Sequence, residues 1–431
     1  MKIAALFLLL ISTANAETEA QKTAPTVALS GKIFSDLYAP YKNPGTTTFR
    51  QFNTSVWLQT DAKLSDTSSA HIEFTGDHFE KSLKGTTGLT LGLREGYATY
   101  GKNGWDLRVG RQIIPWGKTD GINPTDYLTA KDYTFLNPDE EMRRIGSTSI
   151  LTSYTPENGA SPATVTLVWT PVAPQSKLLI PDSAISSAFT VNTAQAPAAT
   201  IANSELALKL SYSKPQWDFS FSAFRGYNHV PELSLTSTGG TILAPTFTIT
   251  PLFHKVKALG GDFSASFEDY VVRAESAYFW TENNNGENIM LQPRHWDSVV
   301  GVEKPLFTDF RIQAQFSARQ FYNLQSAESA TGANVAIAGA NQLLLNYQDS
   351  FRPLATLRFG YTAPSQTWDA EVFTAFNFHG QDSLIRPKGS YLWTDSFRTT
   401  LGMDRYAGPD NRPLGAMKSY NSIFLEAKYS F

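Results

Sequence analysis

The sequence predicts an all-β chain that crosses a membrane as a closed antiparallel barrel, and three observations support this prediction. Segments of about ten residues alternate apolar and polar side chains, as strands with two unlike faces do. In residues 309–319, Phe310 and Ile312 share one face, and Arg311 and Gln313 share the other. Aromatic residues gather near segment ends, and short turns alternate with longer polar loops. Both features are typical of transmembrane barrels.

Spanning by helices is excluded by the same sequence. No segment after residue 16 is an unbroken apolar run of the roughly 18–20 residues that a spanning helix needs. Every backbone group in lipid needs an internal hydrogen-bond partner, so a closed barrel is the remaining spanning fold. Aromatic residues at the segment ends are predicted to form girdles at the two membrane interfaces; they include Trp57, Tyr97, Trp217, Trp280 and Trp296.

Composition excludes several classes of function. The chain has 39 acidic and 36 basic residues, so no basic excess indicates a nucleic-acid partner. It has no cysteine, which excludes disulfides, thiolate nucleophiles and thiolate metal sites. The six histidines are scattered without metal-ligand spacing, and no GxSxG segment is present. We therefore expect neither an enzyme nor a metal or cofactor.

The first residues predict a cleaved signal peptide. Lys2 is followed by an apolar run, Ile3 to Ile11, and then by Ala14-Asn15-Ala16. A positive start, a short apolar run and an A-x-A site mark secretion. Residues 1–16 are therefore predicted to be removed, leaving 17–431 as a single barrel domain.

Alternation and turn signals predict about 18 strands, from 26–38 at the start to 420–431 at the end. The fourteenth is placed at 343–362. Treating 384–407 as one loop would give 16 strands instead. The segment Thr394-Asp395-Ser396 has the composition of a tight turn between two strands, which favours 18. Either even number places both termini on the same side of the membrane.

The last strand carries the most specific signal. Ile423, Leu425, Ala427, Tyr429 and Phe431 share one face, and the chain ends on the phenylalanine. This ending resembles the insertion signal of Gram-negative outer-membrane barrels. The resemblance implies that the barrel-assembly machinery recognises Tyr429 and Phe431, and that the protein reaches the cell outer membrane after secretion to the periplasm.

A second segment, 110–126, reads GRQIIPWGKTDGINPTD. It follows a strand, and Pro115, Gly117 and Gly121 break the strand pattern. This segment resembles a string, GRQxxxWGxxDxxNPxD, found in an uncharacterised porin-like group of outer-membrane proteins. Residues 400–404, 408–409 and 414–415 belong to the same resemblance. It implies a barrel of the porin type and does not imply a solute.

Residues 115–146 form the third predicted external loop. In general porins the third loop folds inward, so resemblance of position implies that this loop narrows the pore. Charged side chains would then face each other across a water path; the candidates are Lys118, Asp120, Asp126, Lys131, Asp132, Asp139, Glu140, Glu141, Arg143 and Arg144. The alternative is that Asp126 and Asp139 cap turns and the charges pair within a rigid loop.

Alternation also assigns charged residues to the inner wall. The candidates are Arg94, Arg108, Arg273, Glu275, Arg311, Arg319, Arg358 and Glu371. Basic and acidic positions balance along the whole wall, which predicts no strong ion preference.

A barrel of 16–18 strands leaves an aqueous channel. The sequence therefore predicts a porin for passive diffusion of small hydrophilic solutes or ions; the alternative is an exporter of polysaccharide or a sheath around a partner. Lipid, lipopolysaccharide and further copies of the chain are the other expected partners.

Overall fold

A computed structural model describes residues 25–41, 50–83, 87–157, 162–180, 189–241 and 245–431. The predicted signal peptide, 1–16, lies outside these residues. The main sheet has 18 strands. They are β1 (Thr26–Ala39), β2 (Gln51–Lys63), β3 (Ser68–Lys81), β4 (Gly88–Lys102), β5 (Trp105–Gln112), β6 (Ser147–Tyr154), β7 (Ala163–Thr170), β8 (Glu205–Ser213), β9 (Trp217–Tyr227), β10 (Lys255–Phe267), β11 (Tyr270–Thr281), β12 (His295–Pro305), β13 (Phe310–Phe321), β14 (Phe351–Thr362), β15 (Trp368–Asn377), β16 (Asp382–Thr394), β17 (Phe397–Ala407) and β18 (Ser422–Ser430).

The sheet closes on itself. Each strand pairs antiparallel with the next along the chain, and β1 pairs antiparallel with β18, with Ile33 opposite Tyr429. The C-terminal residue seals this seam, because Phe431 and Gly31 exchange two backbone hydrogen bonds of 2.9 and 3.0 Å. The predicted fold class and the count of 18 strands are confirmed.

The two faces of the wall have opposite chemistry. On β8, Leu206, Leu208 and Leu210 point outward and are exposed, whereas Glu205 and Lys209 point inward. Apolar side chains on the outside suit lipid, and polar side chains on the inside suit water. Two aromatic residues assigned to the interfacial girdles were placed on the wrong face. Trp57 and Tyr97 point inward, where Lys32 and Arg108 lie over their rings.

The two ends of the barrel differ in their connections. At the end that carries the termini, turns are as short as Asn103-Gly104 and Glu268-Asp269. Asn103, Gly104 and Glu268 adopt positive φ, as tight hairpins require. We call this the periplasmic end. At the opposite, external end the longer connections are L3 (113–146), L4 (171–204), L5 (228–254), L6 (282–294), L7 (322–350) and L9 (408–421).

Loops L4 to L7 pack into an external cap. Strands Phe189–Val191, Glu232–Gly240 and Pro245–Leu252 form a small sheet, and helix α1 (Asn334–Leu344) packs on it. The shared core contains Leu233, Ile249, Ile337 and Ala340. The prediction of a strand over 343–362 is wrong at its start, because 343–344 belong to α1 and β14 begins at Phe351.

The remaining elements are short and lie in the loops. They are the paired strands Ala130–Lys131 and Arg144–Ile145, helix α2 (Pro413–Ala416), and the 3-10 turns Glu141–Arg143, Ile201–Asn203, Ala327–Ser329 and Met417–Tyr420. Among the described residues, no helix is long and apolar enough to span a membrane.

Candidate functional site: the lumen and loop L3

Loop L3 leaves the wall after β5 and is held on β11 by one carboxylate. Glu275 Oε1 accepts hydrogen bonds from the backbone N–H groups of Lys118 (2.5 Å) and Thr119 (2.7 Å) and from the Thr119 hydroxyl (2.7 Å). Its Oε2 accepts from the N–H (3.2 Å) and hydroxyl (2.8 Å) of Thr125. Glu275 is buried and faces the interior, so the tip of L3 lies inside the barrel.

The local sequence makes this close approach feasible. Gly117 has φ +96°, and a Cβ at this position would lie 2.8 Å from both carboxylate oxygens of Glu275. Glycine is therefore required for both its backbone conformation and its lack of a side chain. The Thr119 hydroxyl also lies 2.6 Å from the carbonyl oxygen of Ile122, so its one hydrogen is shared between Ile122 and Glu275. The 110–126 segment thus forms a turn shaped around one wall residue.

The second half of L3 contacts the wall on two sides. Tyr127 stacks on Phe224 of β9, with ring centroids 5.6 Å apart. Further along, the Leu136 backbone exchanges two hydrogen bonds of 2.8 and 3.0 Å with the side chain of Gln51 on β2. Apolar packing on one side and backbone bonds on the other hold the loop as a rigid partition across the lumen.

Most charged residues of L3 have partners. Lys118 pairs with Asp218 and Asp262 of the wall, and Asp120 accepts a hydrogen bond from Gln313. Lys131 pairs with Glu140, and Asp132 pairs with Lys177 at 2.8 Å.

Asp139 caps a turn, as the alternative interpretation of the sequence expects, whereas Asp126 bonds to a residue ten positions earlier in the loop. Asp126 accepts from the N–H of Trp116, and Asp139 accepts from the N–H of Glu141 (3.0 Å). The Glu141 side chain is exposed, and its carbonyl accepts from Arg94. Within the described residues, Arg143 and Arg144 form no ion pair.

The predicted wall residues lie on the inward-facing positions of their strands, and most are paired with a neighbouring strand. Arg108 lies over the Tyr97 ring, and Glu275 holds L3. The ion pairs are Arg94–Glu73 (2.7 Å), Arg273–Glu303 (2.9 Å), Arg311–Glu303 (3.3 Å), Arg319–Asp297 (2.6 Å), Arg358–Glu371 (3.8 Å) and Lys388–Glu371 (3.4 Å).

Sequence analysis missed two further arginines on the inner wall. Arg386 binds Asp404 through two nitrogens, and Arg352 binds Asp349 at 2.6 Å. Alternation along β16 would have assigned Arg386 to the wall. Arg352 lies within the predicted strand 343–362 and alternates in step with Arg358, so the same rule would have assigned it to the wall as well.

Between L3 and the opposite wall lies a cavity of about 690 Å³ under the external cap. Its polar lining includes Arg143 of L3 and Arg319, Arg352 and Arg386 of the wall, with Tyr406 beside them. The three wall arginines are matched by carboxylates, whereas Arg143 is not. Charged groups of both signs line this cavity, and Arg143 is the one of these four arginines that has no ion pair within the described residues.

The cap contributes a buried acid to the same cavity. Burial raises the pKa of Glu232 to about 7, although the backbone N–H of Gln292 donates to its carboxylate. Its side chain titrates near neutral pH at the point where L5 and L6 meet.

One group of side chains in the described part of the chain has the residue types of a metal site: His71, Glu73 and Glu95, with donor atoms within 4.8 Å of one another. Arg94 donates to Glu73 at 2.7 Å, and the N–H of Ile113 donates to Glu95 at 2.7 Å. Both carboxylates already have partners, so the cluster is explained by ion pairing within the wall.

Comparison with known proteins finds a shared fold. OccAB4 of Acinetobacter baumannii has a TM-score of 0.55 at 9% identity, over 95% of this chain and 99% of that chain. OpdK of Pseudomonas aeruginosa, solved with vanillate, has a TM-score of 0.54 at 7% identity, over 94% and 98%. OccAB3 of Acinetobacter baumannii has 0.53 at 9%, over 95% and 99%. No family model and no curated protein sequence matches the chain. The likeness establishes the fold, a closed 18-stranded barrel of the outer-membrane type.

Proposed function

We propose that the protein is an outer-membrane channel through which small hydrophilic solutes or ions diffuse passively. The fold supports this proposal, because barrels of this size leave an aqueous channel and the structural neighbours are outer-membrane porins. The observation that carries it is the anchored loop: L3 divides a polar lumen and leaves a cavity of about 690 Å³ beside it. A cavity of this volume is large enough to hold a small solute.

Arg143 sets the charge preference of this channel. It lines the cavity and lacks a carboxylate partner within the described residues, whereas Arg319, Arg352 and Arg386 each form an ion pair. An uncompensated charge at a narrow, water-filled point favours ions of the opposite sign. We therefore expect a mild preference for anions over cations of similar size.

Planar-bilayer recording of the refolded protein across a gradient of potassium chloride tests the proposal. Discrete conductance steps and a reversal potential displaced toward that of chloride are expected. Arg143→Glu should move the reversal potential toward that of potassium. Arg144→Glu is the matched control, because Arg144 is adjacent and also unpaired but does not line the cavity. A heat-shifted gel band confirms that each variant is a folded barrel; a folded barrel without conductance steps would exclude a channel.

The route to the membrane is part of the same proposal. The signal peptide 1–16 would direct secretion, and Tyr429 and Phe431 on the closing strand would serve as the insertion signal. Deleting Phe431 should leave secretion intact and leave the chain in the periplasm, where fractionation would detect it. Normal insertion of the shortened chain would argue against this role.

A further inference from the structure

A groove crosses the outer, lipid-facing surface of the wall between β9 and β13. Four small side chains lie in one register row across neighbouring strands: Gly261, Ser276, Ser298 and Ala318. Larger side chains rim it on the periplasmic side, including Phe263 and Phe316, and the groove has a volume of about 530 Å³. At about 4.8 Å between strands, the row is roughly 14 Å long.

The floor of this groove is apolar although it contains two serines. The hydroxyls of Ser276 and Ser298 bond to each other at 2.8 Å, and Trp296 Nε1 donates to Ser276 Oγ at 2.6 Å. An unsatisfied hydroxyl in lipid would be costly, and this arrangement removes that cost. The groove can therefore hold a hydrocarbon chain against its floor.

Two basic residues lie above the groove on the same surface. Arg225 of β9 and Lys257 of β10 are directly opposite each other in the register, and both are exposed on the outward face. Each lies four residues toward the external end from the groove row, or about 13 Å along the strand. Trp280 of β11 pairs with Lys257 and marks the membrane interface at this height.

Among the described residues, no carboxylate pairs with Arg225 or Lys257. The outward positions of β8 to β12 carry no aspartate or glutamate, and neither Arg225 nor Lys257 forms an ion pair within the described residues. Charges on the lipid face are tolerated near an interface, where they meet headgroups. Two adjacent cations at headgroup height are complementary to a phosphate.

We propose that this surface binds a phosphorylated, multiply acylated glycolipid of the external leaflet, that is, lipopolysaccharide. A phosphate contacts Arg225 and Lys257, and one acyl chain lies in the groove over Gly261, Ser276 and Ser298. The external leaflet is the source, because the basic pair lies at the end of the barrel with the long loops. Charge and groove lie on one face, one above the other, as the headgroup and chains of a single lipid molecule do.

The test measures binding of lipid A to the refolded full chain by native mass spectrometry in detergent, with dephosphorylated lipid A as the second probe. The wild-type chain should prefer the phosphorylated form. Arg225→Gln combined with Lys257→Gln should bind lipid A about 10- to 30-fold more weakly. It should also lose the distinction between the two probes. Ser298→Phe, which fills the groove, should weaken binding of both.

Arg405→Gln is the matched control. Arg405 is also exposed near the external end, on the outward face of β17, and no described groove lies below it. It should leave the binding of both probes unchanged. Equal losses in this control and in the double variant would show that any outward charge suffices and would overturn the site. Unchanged binding by the double variant, with a heat-shifted gel band showing a folded barrel, would overturn it as well.

Discussion

The most direct test of the loop arrangement is removal of its anchor by Glu275→Ala. The carboxylate accepts four hydrogen bonds from L3, two on each oxygen, and Oε1 also shares the hydroxyl hydrogen of Thr119. Each hydrogen bond to a charged acceptor is worth about 1.5–3 kcal/mol. These bonds do not add, because the donors share one carboxylate and water solvates them once the loop is free. Taken as roughly two independent bonds to a charged acceptor, the anchor contributes about 3–5 kcal/mol.

That cost predicts a large change in how often L3 leaves the wall. At 1.4 kcal/mol per factor of ten, the undocked population should rise by about 100- to 4000-fold. The chain has no cysteine, so one can be introduced as a specific reporter. Leu128 is suitable, because it is buried in the core that L3 forms with the wall and makes no contact with Glu275. Maleimide labelling of Leu128→Cys then reports undocking.

The comparison is made against Glu371→Ala in the same Leu128→Cys background. Glu371 is also an inward-facing carboxylate, and it pairs with Arg358 and Lys388 instead of L3. Labelling should accelerate strongly with Glu275→Ala and remain near the parent rate with Glu371→Ala. Equal rates in the two variants would refute the reasoning, because L3 would then be held by its apolar contacts alone.

Three further outcomes are expected. Gly117→Ala should loosen L3 in the same assay by about 1–3 kcal/mol, because its φ of +96° is strained for alanine and the new Cβ would press on Glu275; an unchanged labelling rate would contradict this. Asp404→Asn should release the charge of Arg386 into the cavity and move the reversal potential further toward that of chloride, and no shift would count against a lumenal Arg386. The pKa of Glu232 is raised from 4.5 to about 7, so between these pH values the folded cap holds a proton that the unfolded chain has lost. The stability of the cap should therefore fall as pH rises from about 4.5 to 7, by at most ~3 kcal/mol. Hydrogen exchange in L5 and L6, corrected for intrinsic rates, should therefore be faster at pH 8 than at pH 5, and Glu232→Gln should abolish the difference; a pH dependence that survives in the variant would assign it to another group.

The wall could be predicted because its pattern is local. Alternation along residues 309–319 needs only the sequence itself, and the same rule placed Glu275 and Arg319 on the inner face. The assignment of Trp57 to a girdle was wrong because it used residue type instead of alternation. Val56 and Leu58 are exposed on the outer face, so alternation places Trp57 inward, where Lys32 and Arg94 contact its ring.

The loops could not be predicted in the same way. Residues 334–344 form a helix whose buried face meets strands from L5, more than 80 residues earlier in the chain. No periodicity within 323–350 identifies that partner. The role of Glu275 was also beyond prediction, because it depends on the turn at 117–125 meeting one residue about 150 positions later.

The position of L3 has a consequence for the order in which the molecule is assembled. The loop is made early in the chain, but its partners belong to β1 and β2, which precede it, and to β9 and β11, which follow it. Its binding position in the lumen is incomplete until Glu275 has been synthesised and the wall has curved around the loop. The pairing of β18 with β1 then removes the lateral opening, and the cap covers the external mouth. Once the seam is closed and the cap is in place, L3 has no open route to its anchor, so we expect L3 to dock before both are complete.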